Sequence, residues 1–205
     1  HPDCVEAVEK TAKLLESLGH HVEPTFPAAL NDPKAAARFS ALWATNMATT
    51  RDGLATILGR PVTENDVELM NWVMAEFAKN LSAVDYANAL NAAGMFRRNV
   101  AQWWTDGWDL LLTPTVSAPP LPVGMSRNNP ADPNETGRIS VDWIPFTSQF
   151  NTTGQPAISL PMHWNEAGLP VGIQLVAAYG REDILIRIAA ELETSAPWDH
   201  RHPNI

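Results

Sequence analysis

The chain has 205 residues, 45% of them hydrophobic, which is enough for one sizeable core and no more than two small ones. Fourteen basic residues against 23 acidic ones leave a net charge of −9, and the densest basic pair is Arg97-Arg98. Nucleic-acid affinity rests on clustered Lys and Arg, so no nucleic-acid partner is expected. Cys4 stands alone, which excludes an internal disulfide and fits a reducing compartment. No apolar run approaches the roughly 20 residues that span a bilayer, so the expectation is a cytoplasmic protein with no membrane partner.

The sequence opens at His1, without an initiator Met, and enters a helical pattern within four residues. That abrupt start reads as a cut chain. Val5, Val8, Ala12, Leu15 and Leu18 recur at helical spacing, and Gly19 sits where a left-handed residue would end the helix. His20-His21-Val22-Glu23, closed by Pro24, reads as a short strand. Asn31 or Asp32 can cap a helix through 35–50. Thr63…Asp66 and Ser82…Asp85 each place an acid three residues after a hydroxyl, the pattern that opens a helix. They predict helices over 63–80 and 82–104.

Trp108 to Thr113 is nearly continuous in apolar residues, as in a strand buried on both faces. Residues 114–140 are rich in Pro, Asn and Gly and read as a long irregular loop. A short turn or helix at 145–152 follows, then strands at 157–161 and 170–177 joined by a hairpin at Asn165–Gly168, and a last helix over 182–194. Strands drawn from distant segments and separated by helices predict an α/β fold with one mixed sheet flanked by helices. Four strands make that sheet look incomplete, so a segment outside this chain is expected to complete it. The domain reading is a single domain over 1–205, helical at 31–107 and strand-rich at 108–195.

Chemistry is sparse. No His pair at i, i+4 flanks an acid, one cysteine cannot build a zinc cluster, and the glycines form no phosphate-binding loop. No cofactor and no metal are expected. His200 and His202 read as part of a solvated tail. There is no Gly-x-Ser-x-Gly elbow, and Cys4 reads as a small buried hydrophobe, so no catalytic residue is assigned to this chain.

What stands out is Phe146-Thr147-Ser148-Gln149-Phe150-Asn151-Thr152-Thr153-Gly154-Gln155-Pro156-Ala157-Ile158-Ser159-Leu160-Pro161, followed by Gly168-Leu169-Pro170-Val171-Gly172-Ile173-Gln174-Leu175-Val176. Both stretches resemble the C-terminal signature of the amidase-signature family. Asp109 to Thr115, Ala118-Pro119, the opening helix and the Arg181-Glu182-Asp183 start of the last helix match the same family in order, over nearly the whole chain. The resemblance implies the C-terminal part of the amidase-signature fold. It also implies hydrolysis of a carboxamide C–N bond by a Ser-cisSer-Lys mechanism. Those three residues belong to a Gly/Ser-rich N-terminal segment that has no counterpart here. The implied partners are that N-terminal segment as a separate chain and a small-molecule amide substrate, with a homo-oligomer of the assembled enzyme allowed.

Trp143, Ile144, Phe146 and Thr147 follow a long loop and enter a sheet edge, so they are expected to line the substrate pocket, with Asn151 beside them. In the helical region, Trp43 and Met47 lie at helical spacing with Phe39 and Leu42, and the resemblance implies that such a helix lines the acyl side of the channel. These apolar candidates favour a substrate with a hydrocarbon portion, as for nylon oligomer or cyclic amide hydrolases within the family. The alternatives are the glutaminase subunit of a tRNA-dependent amidotransferase, which shares the motifs, and a non-catalytic binding module. Gly154, Pro156, Gly172 and Gln174 read as scaffold.

Overall fold

The computed structural model describes residues 1–32, 35–125, 129, 131–132 and 134–201, without the side chains of 35–38. It divides into two units: His1–Leu30 with Asn99–Leu121 and Trp143–Ile205, and Asn31–Arg98 with Pro122–Asp142.

The first unit opens with α1, Pro2–Ser17. Pro2 takes the first helical position, where its missing N–H costs nothing, and His1 Nδ1 accepts a bond from the Asp3 amide at 3.2 Å. Three strands follow: β1, Leu110–Pro114, β2, Ala157–Trp164, and β3, Pro170–Ala177. Their order is β1-β3-β2, with both pairings antiparallel. The expected mixed sheet is therefore corrected. The central strand is met from one side by its hairpin partner and from the other by a strand running the same way as that partner.

One face of the sheet presents Val171, Ile173, Leu175 and Ala177 of β3 with Leu160 of β2 to Cys4, Ala7 and Leu15 of α1. The last helix, Glu182–Ser195, adds Leu185, Ile188 and Leu192 to that core. Burying each such Leu or Ile contributes on the order of 1.5–3 kcal/mol. The opposite face carries Thr113, Gln174 and Ser159, which sit side by side in the register.

Register breaks between Leu160 and His163, where Pro161 enters β2. Proline cannot donate to a ladder and is tolerated at such bulges. The extra residue changes the phase. Leu160 pairs with Ile173 and His163 with Val171, so both project to the α1 face although they are three positions apart. His163 is buried there, its Nε2 3.9 Å from Glu6 Oε2.

The strand expected at 20–23 is absent. These residues are largely exposed with only Val22 touching the core, and His20 Nε2 meets Glu191 Oε2 at 3.1 Å rather than a ladder.

The second unit holds α2, Ala35–Leu58, eight residues longer than expected, α3, Leu69–Ala78, and the larger part of α4, Ala83–Thr105. Helix α3 begins six residues later than predicted from Thr63. Asp66 Oδ2 accepts from both the amide and the hydroxyl of Thr63, and its carboxylate also takes Arg60 at 2.7 Å, which closes a turn instead of opening a helix. At Ser82 the same motif works as a reciprocal cap: Asp85 N donates to Ser82 Oγ and Ser82 N to Asp85 Oδ2. Arg51 links α2 to α3 through Glu76 at 2.8 Å and lies 5.9 Å from the Trp72 ring centre. The loop expected over 114–140 ends earlier, because α5, Glu135–Trp143, occupies its last part, and α6, Ser148–Thr153, then precedes β2. The helix Glu182–Ser195 is α7.

Candidate substrate-facing site

Four of the residues expected to line a pocket, Trp143, Ile144, Phe146 and Thr147, form a short strap from the last residue of α5 to the start of α6. Trp143 is held twice by the proline loop: its Nε1 donates to the Ala118 carbonyl at 3.1 Å, and its own carbonyl accepts from Ser117 N at 2.9 Å. Pro145 fixes φ in the middle. The Phe146 carbonyl accepts from Gln174 Nε2 at 3.0 Å, and the Thr147 carbonyl then accepts from the amides of Phe150 and Asn151, starting α6. Trp143, Ile144, Phe146 and Thr147 are half-buried, each keeping part of its surface open.

Asn151, expected beside these residues, is exposed on α6, and Gly154 ends that helix. Gly154 adopts φ 74° and its amide returns to the Phe150 carbonyl at 2.8 Å, a left-handed helix end that glycine reaches without strain. Trp43 and Met47 belong to α2 in the second unit; both are half-buried, and Trp43 packs 6.1 Å from Phe39 between ring centres. The strap and the α2 pair are thus each defined within their own unit.

Beneath the strap lies a polar sheet face that the sequence did not assign to the site. Thr115 Oγ1 and Ser159 Oγ meet at 2.8 Å across the central strand, above Gly172. Gln174 Nε2 donates to Thr113 Oγ1 at 3.1 Å as well as to Phe146. The signal was present as the Gly-x-Gln spacing on β3, since residues two apart on a strand share a face. What brings Thr113, Thr115 and Ser159 to that face is a three-strand register. The group offers hydroxyl and amide contacts to a polar ligand atom, and neither Lys nor His enters its hydrogen bonds.

Cys4 is 2% exposed, and burial raises its thiol above the ordinary value, so it packs as a neutral group. Among the described residues no group of three or more His, Cys, Asp or Glu could hold a metal ion, and no helix is long and apolar enough to cross a membrane. His202 lies outside the described residues. A cleft of about 350 Å³ on the other side of the sheet, lined by Lys10, Met162, His163, Trp164, Pro197 and Arg201 among others, contains none of the expected site residues. Arg201 stacks over Trp164 there at 4.2 Å.

An antiparallel sheet is covered on one face by two helices and carries a clamped aromatic strap over the other. The chain belongs to the Amidase family, whose model matches residues 1–186. It is 35% identical over its full length to 6-aminohexanoate-cyclic-dimer hydrolase of Paenarthrobacter ureafaciens, of which it spans 42%. A solved 6-aminohexanoate cyclic dimer hydrolase, known alone and complexed with substrate, superposes with a TM-score of 0.91 at 36% identity, over 99% of this chain and 43% of that one. A bacterial aryl acylamidase of the amidase signature family shares the fold at 18% identity and a TM-score of 0.71, over 96% of this chain and 41% of that one.

Proposed function

We propose that this chain frames the substrate pocket of an amide hydrolase acting on linear or cyclic carboxamides whose amide group lies between hydrocarbon segments. In this reading both units form one amidase domain of a cytoplasmic enzyme. A separate N-terminal segment supplies a Ser-cisSer-Lys centre and completes the sheet. The supporting observation is the 35% identity to a cyclic-dimer hydrolase over a match that covers the whole of this chain. Trp143, Ile144, Phe146 and Thr147, with Asn151 beside them, supply one wall, and Trp43 and Met47 supply contacts to the acyl part. A hydrocarbon segment gains about 0.8 kcal/mol for each methylene removed from water, so half-buried aromatic and aliphatic side chains suit it. A glutamine-specific site needs instead an anchor for the α-amino and α-carboxylate charges.

The test is to express this chain with the N-terminal segment of an amidase relative and assay cyclic and linear oligoamides of 6-aminohexanoate, aryl amides and glutamine. The expected result is hydrolysis of the oligoamides by the pair, little action on glutamine, and none by this chain alone. Activity of the isolated chain, or a preference for glutamine, overturns the proposal. In the active pair, Trp143→Ala should raise KM by roughly tenfold or more with a smaller change in kcat, because it removes binding surface made equally in ground and transition states.

A further inference from the structure

Gln174 is 5% exposed and lies at the centre of β3, where a residue of its polarity needs a reason to be buried. Both of its amide donor bonds are accounted for. One goes to Thr113 Oγ1 on the neighbouring strand at 3.1 Å, and the other crosses to the Phe146 carbonyl at 3.0 Å. The first bond is internal to the sheet. The second joins the sheet to the strap, at a carbonyl two residues before α6 begins.

The other end of the strap is fixed independently by Ser117 and Ala118. Between these anchors lie only Ile144 and Pro145, so the position of Phe146 and Thr147 depends on the Gln174 bond. We infer that Gln174 is a positioning residue, which holds the Phe146–Thr147 turn at a fixed height over the sheet and so sets the wall offered to the substrate. The inference rests on the pocket reading given above, but the tether can be tested apart from it.

Gln174→Met keeps the length of the side chain and removes both donors. Hydrogen exchange measured on the full chain should then speed up roughly three- to tenfold in the amides of 146–151, the range expected for one lost hydrogen bond. Exchange in β2, β3 and α7 should stay as it was. Thr113→Val removes the sheet-internal acceptor alone and should leave 146–151 unchanged. In the active pair, Gln174→Met should raise KM several-fold with a lesser effect on kcat. Gln174→Glu sets a carboxylate against the Phe146 carbonyl, so its penalty should exceed that of Gln174→Met at pH 8 and shrink as acid restores an O–H donor.

Unchanged exchange at 146–151, or acceleration spread evenly over all three strands, overturns the tether. Faster exchange at 146–151 with an unchanged KM upholds the tether and overturns the pocket reading. If the variants do not fold, the side-chain amide protons of Gln174 in the unmutated chain decide. Slow exchange by NMR supports the bond, and exchange at the rate of a free glutamine amide refutes it.

Discussion

Gly172 is a position where a single missing methyl group allows a contact between β2 and the residue that follows β1. A Cβ there would stand 2.9 Å from Ser159 Oγ and 3.0 Å from Thr115 Oγ1, the two hydroxyls that now meet above it. Gly172→Ala should therefore destabilise the fold by about 1–3 kcal/mol, the usual cost of overpacking, as read from urea denaturation. Adding Ser159→Ala should recover part of that loss, because the two sites share one contact and their effects cannot add. Gly154 differs. Its Cβ would meet Tyr179 at an ordinary 3.5 Å, so Gly154→Ala should cost only the backbone strain of φ 74°, about 1–2 kcal/mol. Both glycines were legible in the sequence as scaffold, but their neighbours were not. Which side chains face Gly172 depends on how three strands register, and no local pattern encodes that.

At the scale of elements, two copies of one motif take different outcomes. Ser82 and Asp85 cap α4 reciprocally, and Ser82→Ala should cost about 1 kcal/mol, seen as faster exchange in the first turn of that helix. Thr63 and Asp66 are spaced identically, but Arg60 competes for the same carboxylate, and a turn results. The competitor lies six residues before the acid, outside the window that defines the motif, which is why the sequence placed the helix start too early. Arg60 foremost, then the amide and hydroxyl of Thr63, hold the Asp66 carboxyl well below the usual carboxylate range. A depressed folded value gives stability that is present above the ordinary aspartate value of about 3.9 and is lost only as pH falls through the lower folded one. The Thr63 amide resonance should therefore stay fixed between pH 7 and 4 and move only in stronger acid. In Arg60→Ala the movement should begin at higher pH. The helices and strands themselves were largely legible, because their apolar spacing is long and regular. The stretch at 20–23 misled because four residues carry no periodicity to judge by, and α5 was hidden by the prolines before it.

At the scale of the molecule, the three-stranded sheet has two outer edges, on β1 and β2, that no strand covers among the described residues. Unpaired ladder groups recruit other chains. The isolated chain should accordingly self-associate at micromolar concentration in light scattering, and co-expression with the proposed N-terminal segment should suppress that. A monodisperse isolated chain would count against a sheet completed from outside. Order along the chain was enough to read the family, since its motifs are local and consecutive. The interleaving of the units, with Asn31–Arg98 and Pro122–Asp142 between segments of the other, is a long-range property that local patterns do not carry.

The slip at Pro161 divides β2 into two reading frames. Before it, Ala157 and Ser159 share a side with Gln174 and Val176; after it, His163 falls opposite Val171, on the side of the helices. A sequence comparison that passes Pro161 by simple alternation would put His163 on the strap side and count a titratable imidazole among the residues near the substrate. The bulge sends that ring behind the sheet, so the nearest imidazole in the strand is segregated from the proposed chemistry by one backbone layer.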